Sequence, residues 1–98
     1  MLVNVIRSYR DVVAICDTEI LGKYFEEGQF QLDLKGSFYK GEEKTEEEAI
    51  EIIQDMQRED AIFNIVGEKS VIAAVKAGII EKDSAGIIAG IPFALVLL

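Results

Sequence analysis

The stretch "IFNIVGEKSVIAAVKAGII", residues 62–80, decides how the chain is divided. It is mostly apolar, yet Asn64 sits between Phe63 and Ile65, and Gly67 and the charged pair Glu68–Lys69 follow. Its second half, Glu68–Ala77, gathers Val71, Ile72, Ala74 and Val75 on one side and reads as a helix. Gly78 is placed to end that helix, with Ile80 supplying the apolar contact of a Schellman turn. Its first half reads as the end of an earlier helix or the break after it. An amide at such a break closes backbone groups that have lost their helical partners. In a continuous helix, Asn64 and Glu68 would instead share a face one turn apart and aim at a ligand or partner beside Lys23.

Upstream, "TEEE" at 45–48 is a capping box, Thr45 with Glu48 three residues on. Three acids in the first turn suit the positive end of the helix dipole. Ala49, Ile50, Ile52, Ile53 and Met56 form the apolar stripe of a helix that runs to about Glu59 or on through Ile65. Residues 2–9 and 11–16 read as strands joined in a hairpin, and "FQLDL" (30–34) as a third strand. Asp17 or Thr18 can cap one helical turn ended by Gly22. "GIIAG" and "FALVLL" read as buried strands, so deleting Phe93–Leu98 is expected to leave a molten or insoluble chain.

These elements compose one α+β domain over residues 1–98, with a small mixed or antiparallel sheet and two or three helices packed on one face. The hairpin at 2–16 and the strand at 30–34 supply one part of the sheet, and the C-terminal run the rest. The chain has 98 residues, half of them apolar and 29% charged, which is a globular composition.

Composition also removes chemistries. There is no histidine and one cysteine, Cys16, so a Cys/His zinc site, a Ser-His-Asp triad and an intrachain disulfide are excluded. No catalytic residue, metal ligand or cofactor is assigned. A net charge of −8 opposes nonspecific nucleic-acid binding, and no DNA partner is expected. "AGIIAGIPFALVLL" is shorter than the ~20 residues of a spanning helix and contains Pro92, so a soluble, cytoplasmic protein with no membrane partner is expected.

Several residues nonetheless invite a functional reading. Asp17, Glu19, Glu26 and Glu27 are oxygen donors of the kind hard cations take, but Asp17 and Glu19 diverge in a helical turn. Gly22–Lys23 resembles the end of a phosphate-binding loop without its preceding glycine or following hydroxyl. The acids at 42–48 can steer a basic partner as well as solvate a helix start. Arg7, Tyr9 and Arg10 at the hairpin tip combine an aromatic with two guanidiniums, a pattern that can hold RNA. Cys16 reads as a small buried hydrophobe.

The segments "CDTEILGKYFEEGQFQLDL", "FYKG", "NIVGEKSVIAAVKAGII" and the C-terminal "GIP" together resemble an archaeal family of small proteins, domain of unknown function four-two-four. The resemblance spans almost the whole chain. It implies a small protein without an established activity, loosely associated with translation. Matched by position, the family-like residues are Asp17, Glu19, Gly22, Lys23, Gly28, Asn64, Gly67, Glu68, Gly78 and Pro92. The family's His and Gln after Gly-x-Pro are Phe93 and Leu95 here, which favours packing at that end.

Two function classes follow. One is a non-enzymatic adaptor for a protein or RNA of the translation apparatus. The other is a small-molecule or metal-dependent enzyme that uses Asp17, Glu19 and Lys23 near Asn64 and Glu68. Convergence of those five residues on one pocket discriminates between them. The sequence leaves the oligomeric state open.

Overall fold

The computed structural model describes residues 1–97. Leu2–Ile6 (β1) and Val12–Cys16 (β2) form the expected antiparallel hairpin, Leu2 opposite Cys16 and Ile6 opposite Val12. A single 3-10 turn, Thr18–Ile20, follows. Tyr24–Glu27 (β3) and Phe30–Asp33 (β4) then pair as a two-stranded ribbon. The strand expected at 30–34 is therefore present but belongs to this ribbon, separate from the main sheet. Its composition explains the correction. Of "FQLD", Phe30, Gln31 and Asp33 are exposed and Leu32 alone is partly buried, so the strand has one side to cover.

Glu42–Glu43 (β5) is a two-residue strand beside β1. Helix α1 spans Glu46–Arg58 and buries Ala49, Ile53 and Met56. Its capping box is complete: Glu48 N donates to Thr45 Oγ1 at 3.1 Å, and Thr45 N donates to Glu48 Oε1 at 2.9 Å. The first of these bonds satisfies one of the amides a helix start leaves unpaired, and the reciprocal bond anchors the Thr45 N–H.

The helix stops after Arg58, and "IFNIV" (Ile62–Val66) is a strand, β6. This corrects the reading of 62–66 as helix or helix break. Asp60 takes a left-handed conformation at φ 57°, Ala61 N donates to Met56 O and Asp60 N to Gln57 O. That is a Schellman closure with an aspartate where glycine is usual. Beyond it the period is two: Phe63 and Ile65 are fully buried on one side, while Ile62 and Asn64 are half-buried on the other. Asn64 lies mid-strand, between Ala14 of β2 and Leu95 across the sheet.

Helix α2, Glu68–Ala77, is as expected, and Gly78 closes it at φ 87°. Gly78 N donates to Val75 O, and Ile79 N donates to Ala74 O. Both Ile79 and Ile80 pack on the core. Gly86–Ile88 (β7) and Ile91–Val96 (β8) form the C-terminal hairpin. Its two-residue turn, Ala89–Gly90, has φ of 52° and 80°, the signs of a type I′ turn.

Among the described residues the main sheet has six strands in the order β5-β1-β2-β6-β8-β7. β2 and β6 run parallel, and the other neighbours run antiparallel. Both helices cover one face, burying Val3, Val13, Ile15, Phe63, Ile65 and Ala94. The ribbon covers part of the other face, where Cys16, Val66 and Leu34 form a second small core with Phe25, Leu32, Tyr39 and Phe93. The fold is α+β with a mixed sheet, the mixed alternative of the two expected.

The helix ends make a paired prediction. Asp60→Gly relieves a left-handed non-glycine residue and is expected to raise stability by about 1 kcal/mol; Gly78→Ala is expected to lower it by about as much. Urea denaturation measures both, and equal shifts of the same sign would contradict the αL assignment.

Candidate functional site

Parallel strands carry their ligand sites beyond their carboxyl ends, often at the start of the following helix. Here that place lies after Cys16 and Val66, where α2 begins. Its anion is supplied by the chain itself. Asp17, 4% exposed, accepts hydrogen bonds from Lys69 N at 3.0 Å, Ser70 N at 2.8 Å and Ser70 Oγ at 2.7 Å. Asp17 N in turn donates to Val66 O, extending the parallel pairing by one residue. The expected local cap on the turn at 18–20 is thereby corrected: no side-chain cap forms there, because the Asp17 carboxylate is engaged with α2. Gly67 makes room for it. A Cβ at Gly67 would lie 2.3 Å from the Asp17 carboxyl carbon, and Gly67 has φ 112°.

Around this buried pair lies a shell of exposed charge. Lys69 Nζ stands 3.4 Å from Glu19. Thr18 Oγ1 donates to Glu43 Oε1 at 2.7 Å, and the Met1 amine donates to Glu43 Oε2 at 2.6 Å. The hydrogen bond from the Met1 amine, then that from Thr18, hold the Glu43 carboxyl below the ordinary carboxylate value.

Of the five candidate site residues, Asp17, Glu19 and Glu68 gather at the start of α2. Lys23 and Asn64 do not join them. Lys23 is held through its backbone, N to Ile20 O and O from Leu34 N, with an exposed side chain. Asn64 faces away from the helices, in the row Asn4–Ala14–Asn64–Leu95. The shared helical face for Asn64 and Glu68 is corrected, since 62–66 is strand and successive residues alternate sides. Ser70 and Lys69, which complete the Asp17 site, were missed. No local pattern marks them, because their partner is about fifty positions earlier in the chain.

At the hairpin tip, Tyr9 is fully exposed, but both arginines are engaged. Arg7 Nη1 donates to Asp11 Oδ2 at 2.8 Å and Arg10 Nε to Asp60 O at 2.9 Å. Asp11, Glu59 and Asp60 line the hollow beside Tyr9 and Arg10, so a phosphate there meets three acids. A second cleft, of about 870 Å³, runs along the outer edge of β1 between segment 40–44 and the Ile52–Met56 side of α1. Its charges are mixed, with Arg7, Lys40, Lys44 and Arg58 set among Glu42, Asp55 and Glu59.

Among the described residues, none forms a layer over one part of the sheet. On the face away from the helices, Ile6, Val12 and Ile62 lie partly exposed in one row, with Leu95 at 58% and Leu97 at 62% exposure beside them. Asn4 and Asn64 flank Ala14 in the next row, and Asn4 Nδ2 donates to Phe38 O at 2.8 Å.

A six-stranded mixed sheet with a self-filled helix start and a half-open face defines the class of protein. The chain belongs to the family described as "protein of unknown function (DUF424)", whose model matches residues 6–98. It is similar to a solved structure, an uncharacterized conserved protein from Methanopyrus kandleri, at 25% identity and a TM-score of 0.88. That likeness covers 97% of this chain and 88% of the other. Among curated proteins, none matches it. Among the described residues, no helix is long and apolar enough to cross a membrane.

The Asp17 site yields a stability prediction. Asp17→Ala strands two amides and a hydroxyl, and is expected to cost about 3 kcal/mol, whereas Lys23→Ala is expected to change stability by less than about 0.5 kcal/mol. Equal small losses in urea titration would dissolve the distinction. A second prediction concerns Cys16. Burial, and then the nearby Asp17 and Glu19 charges, push its thiol up to about 12. Reaction needs the thiolate, so a disulfide reagent at pH 8 is expected to label unfolded but not native protein. Rapid native labelling would refute the burial.

Proposed function

We propose that this chain is a non-enzymatic binding protein that docks a partner protein on the open half of its sheet face. The observation that carries the reading is the uncovered row Ile6, Val12 and Ile62, with Leu95 and Leu97 beside it, on a sheet whose opposite face is packed under the helices. An apolar patch bordered by amides, as this one is by Asn4 and Asn64, has the make-up of an interface centre. Protein is preferred to RNA because the net charge is −8 and both tip arginines already have acceptors. The enzyme reading loses support, since Lys23 and Asn64 stand apart from Asp17 and the carboxylate of Asp17 is buried and already accepts three hydrogen bonds. A translation context, with a ribosomal or initiation-factor partner in a cytoplasmic archaeal setting, rests on the family resemblance alone.

Asn64→Lys puts a cation in the middle of the open face without removing buried apolar area. Capture of proteins from nuclease-treated lysate of the source organism, compared between wild type and Asn64→Lys at matched stability, tests the proposal. The expected result is a protein partner retained by wild type, lost by the variant and found among ribosomal subunits or their factors. Capture that vanishes with nuclease, or survives Asn64→Lys, would overturn it.

A further inference from the structure

The two long sides of the sheet end differently. On one side the outermost strand is β5, two residues long and made of Glu42 and Glu43. A short charged edge is how natural sheets resist pairing with another chain. On the other side β7 covers β8 only as far as Phe93, opposite Gly86. Among the described residues, the outer edge of the chain at 95–97 has no neighbouring strand, and residues 86–98 carry no charged side chain.

Register determines which backbone groups that edge offers. Gly67 N donates to Pro92 O at 2.8 Å, so the even residues of β8 turn their backbone groups toward β6. Leu95 and Leu97 turn theirs outward. We propose that a second copy of this chain pairs along this edge, β8 antiparallel to β8, to give a two-fold dimer with one continuous sheet. With the axis at Val96, Leu95 of one copy stands opposite Leu97 of the other. The outward N–H and C=O groups of these residues then close on one another in two narrow pairs, four hydrogen bonds in all. The same register sets the side chains. Leu95 and Leu97 lie on one face, 58% and 62% exposed, and meet their counterparts as a cluster of four leucines. Val96 lies on the other face beside Ile79 and Ile80, where a cleft of about 450 Å³ receives the partner's Val96.

Charge favours a second copy over a heterologous strand. Two chains of −8 repel unless their contact lies far from the acids. The acidic run at 42–48 is at or beyond the opposite edge of the sheet, and a single acid, Glu81, lines the cleft beside Val96. A basic partner drawn by those acids would arrive at the wrong side. An uncharged edge whose donors and acceptors match their own two-fold image is what an isologous interface requires.

The experiment is sedimentation velocity across a concentration series, with amide hydrogen exchange on the same samples. Wild type is expected to approach twice 10.9 kDa as concentration rises. The amides of Leu95 and Leu97 are expected to slow in step, while those of Ala94 and Val96, bonded to β6, stay slow throughout. Leu95→Lys is expected to remain monomeric with cooperative unfolding. Ile87→Lys, the same change off the pairing register at a site 65% exposed, is expected to dimerise like wild type. A wild-type chain that is monomeric at all concentrations with fast Leu95 and Leu97 exchange overturns the proposal. So does a dimer that Leu95→Lys leaves intact. Asn64 is the cross-strand neighbour of Leu95, so the dimer is read on wild type, Leu95→Lys and Ile87→Lys alone. A failure of lysate capture leaves the mass and the Leu95 and Leu97 exchange of the purified chain unchanged, whereas a monomeric wild type leaves the capture result as it is.

Discussion

Three donors on one buried carboxylate hold this fold together. Asp17 leaves β2, takes the amides of Lys69 and Ser70 and the Ser70 hydroxyl, and so ties the end of β2 to the start of α2. A helix start presents unpaired amides and partial positive charge, and a desolvated anion needs both. Hydrogen bonds to a charged group are worth about 1.5–3 kcal/mol each, so the contact outweighs any single surface ion pair in the molecule. It joins residues 52 and 53 positions apart, which local propensity cannot do. Gly67 follows from it, since any side chain there would occupy the space of the carboxylate.

The same contact decides what the strand ends can do. In many α/β sheets this place binds an anionic ligand through a helix N-terminus. Here an internal aspartate fills it, so the amides that would hold a phosphate are committed to structure. The family-like residues Asp17, Gly67 and Gly78 are explained by folding: a cap, the space for the cap, and a left-handed helix end. Glu19 and Lys69 add an exposed ion pair at its rim. Binding function is then left to surfaces that the packing does not use, the half-open sheet face foremost.

The sequence carries the fold unevenly. The hairpin β1–β2, the capping box at Thr45, helix α2 and the glycine at 78 are legible because each depends on neighbours within a few residues. β6 is not, because "IFNIV" has neither a strict alternation of apolar and polar residues nor a glycine after α1. Asp60 in the left-handed region performs that stop, and its side chain gives no advance notice of it. The ribbon β3–β4 misleads for a related reason: strict alternation identifies a strand but not which sheet it joins. The Ala89–Gly90 turn lacks the Asn-Gly pair that usually announces a type I′ hairpin. Of the candidate site, the chemistry of Asp17 is visible in sequence and its partner is not. Asn64, singled out as an oddity in an apolar run, is an oddity of helix only; in the strand it faces the half-open side of the sheet between Ile62 and Val66.

Asn64 also shows why the open face differs from an unfinished core. A sheet row meant to be sealed by the same chain would be apolar throughout, as Val13, Ile15, Phe63 and Ile65 are under the helices. The opposite face instead mixes Ile6, Val12 and Ile62 with Asn4 and Asn64, groups that retain hydrogen-bonding capacity while half in water. Sealing them permanently would leave amide groups to be matched at a cost of about 1–3 kcal/mol each. Leaving them in water costs little, and a partner with matching donors and acceptors can still cover them. The inward residues of the ribbon, Phe25 and Leu32, pack on the small core over Cys16 and Val66, while its Phe30 faces solvent. The division of the face into a covered end and an open end thus follows where the ribbon's inward residues pack.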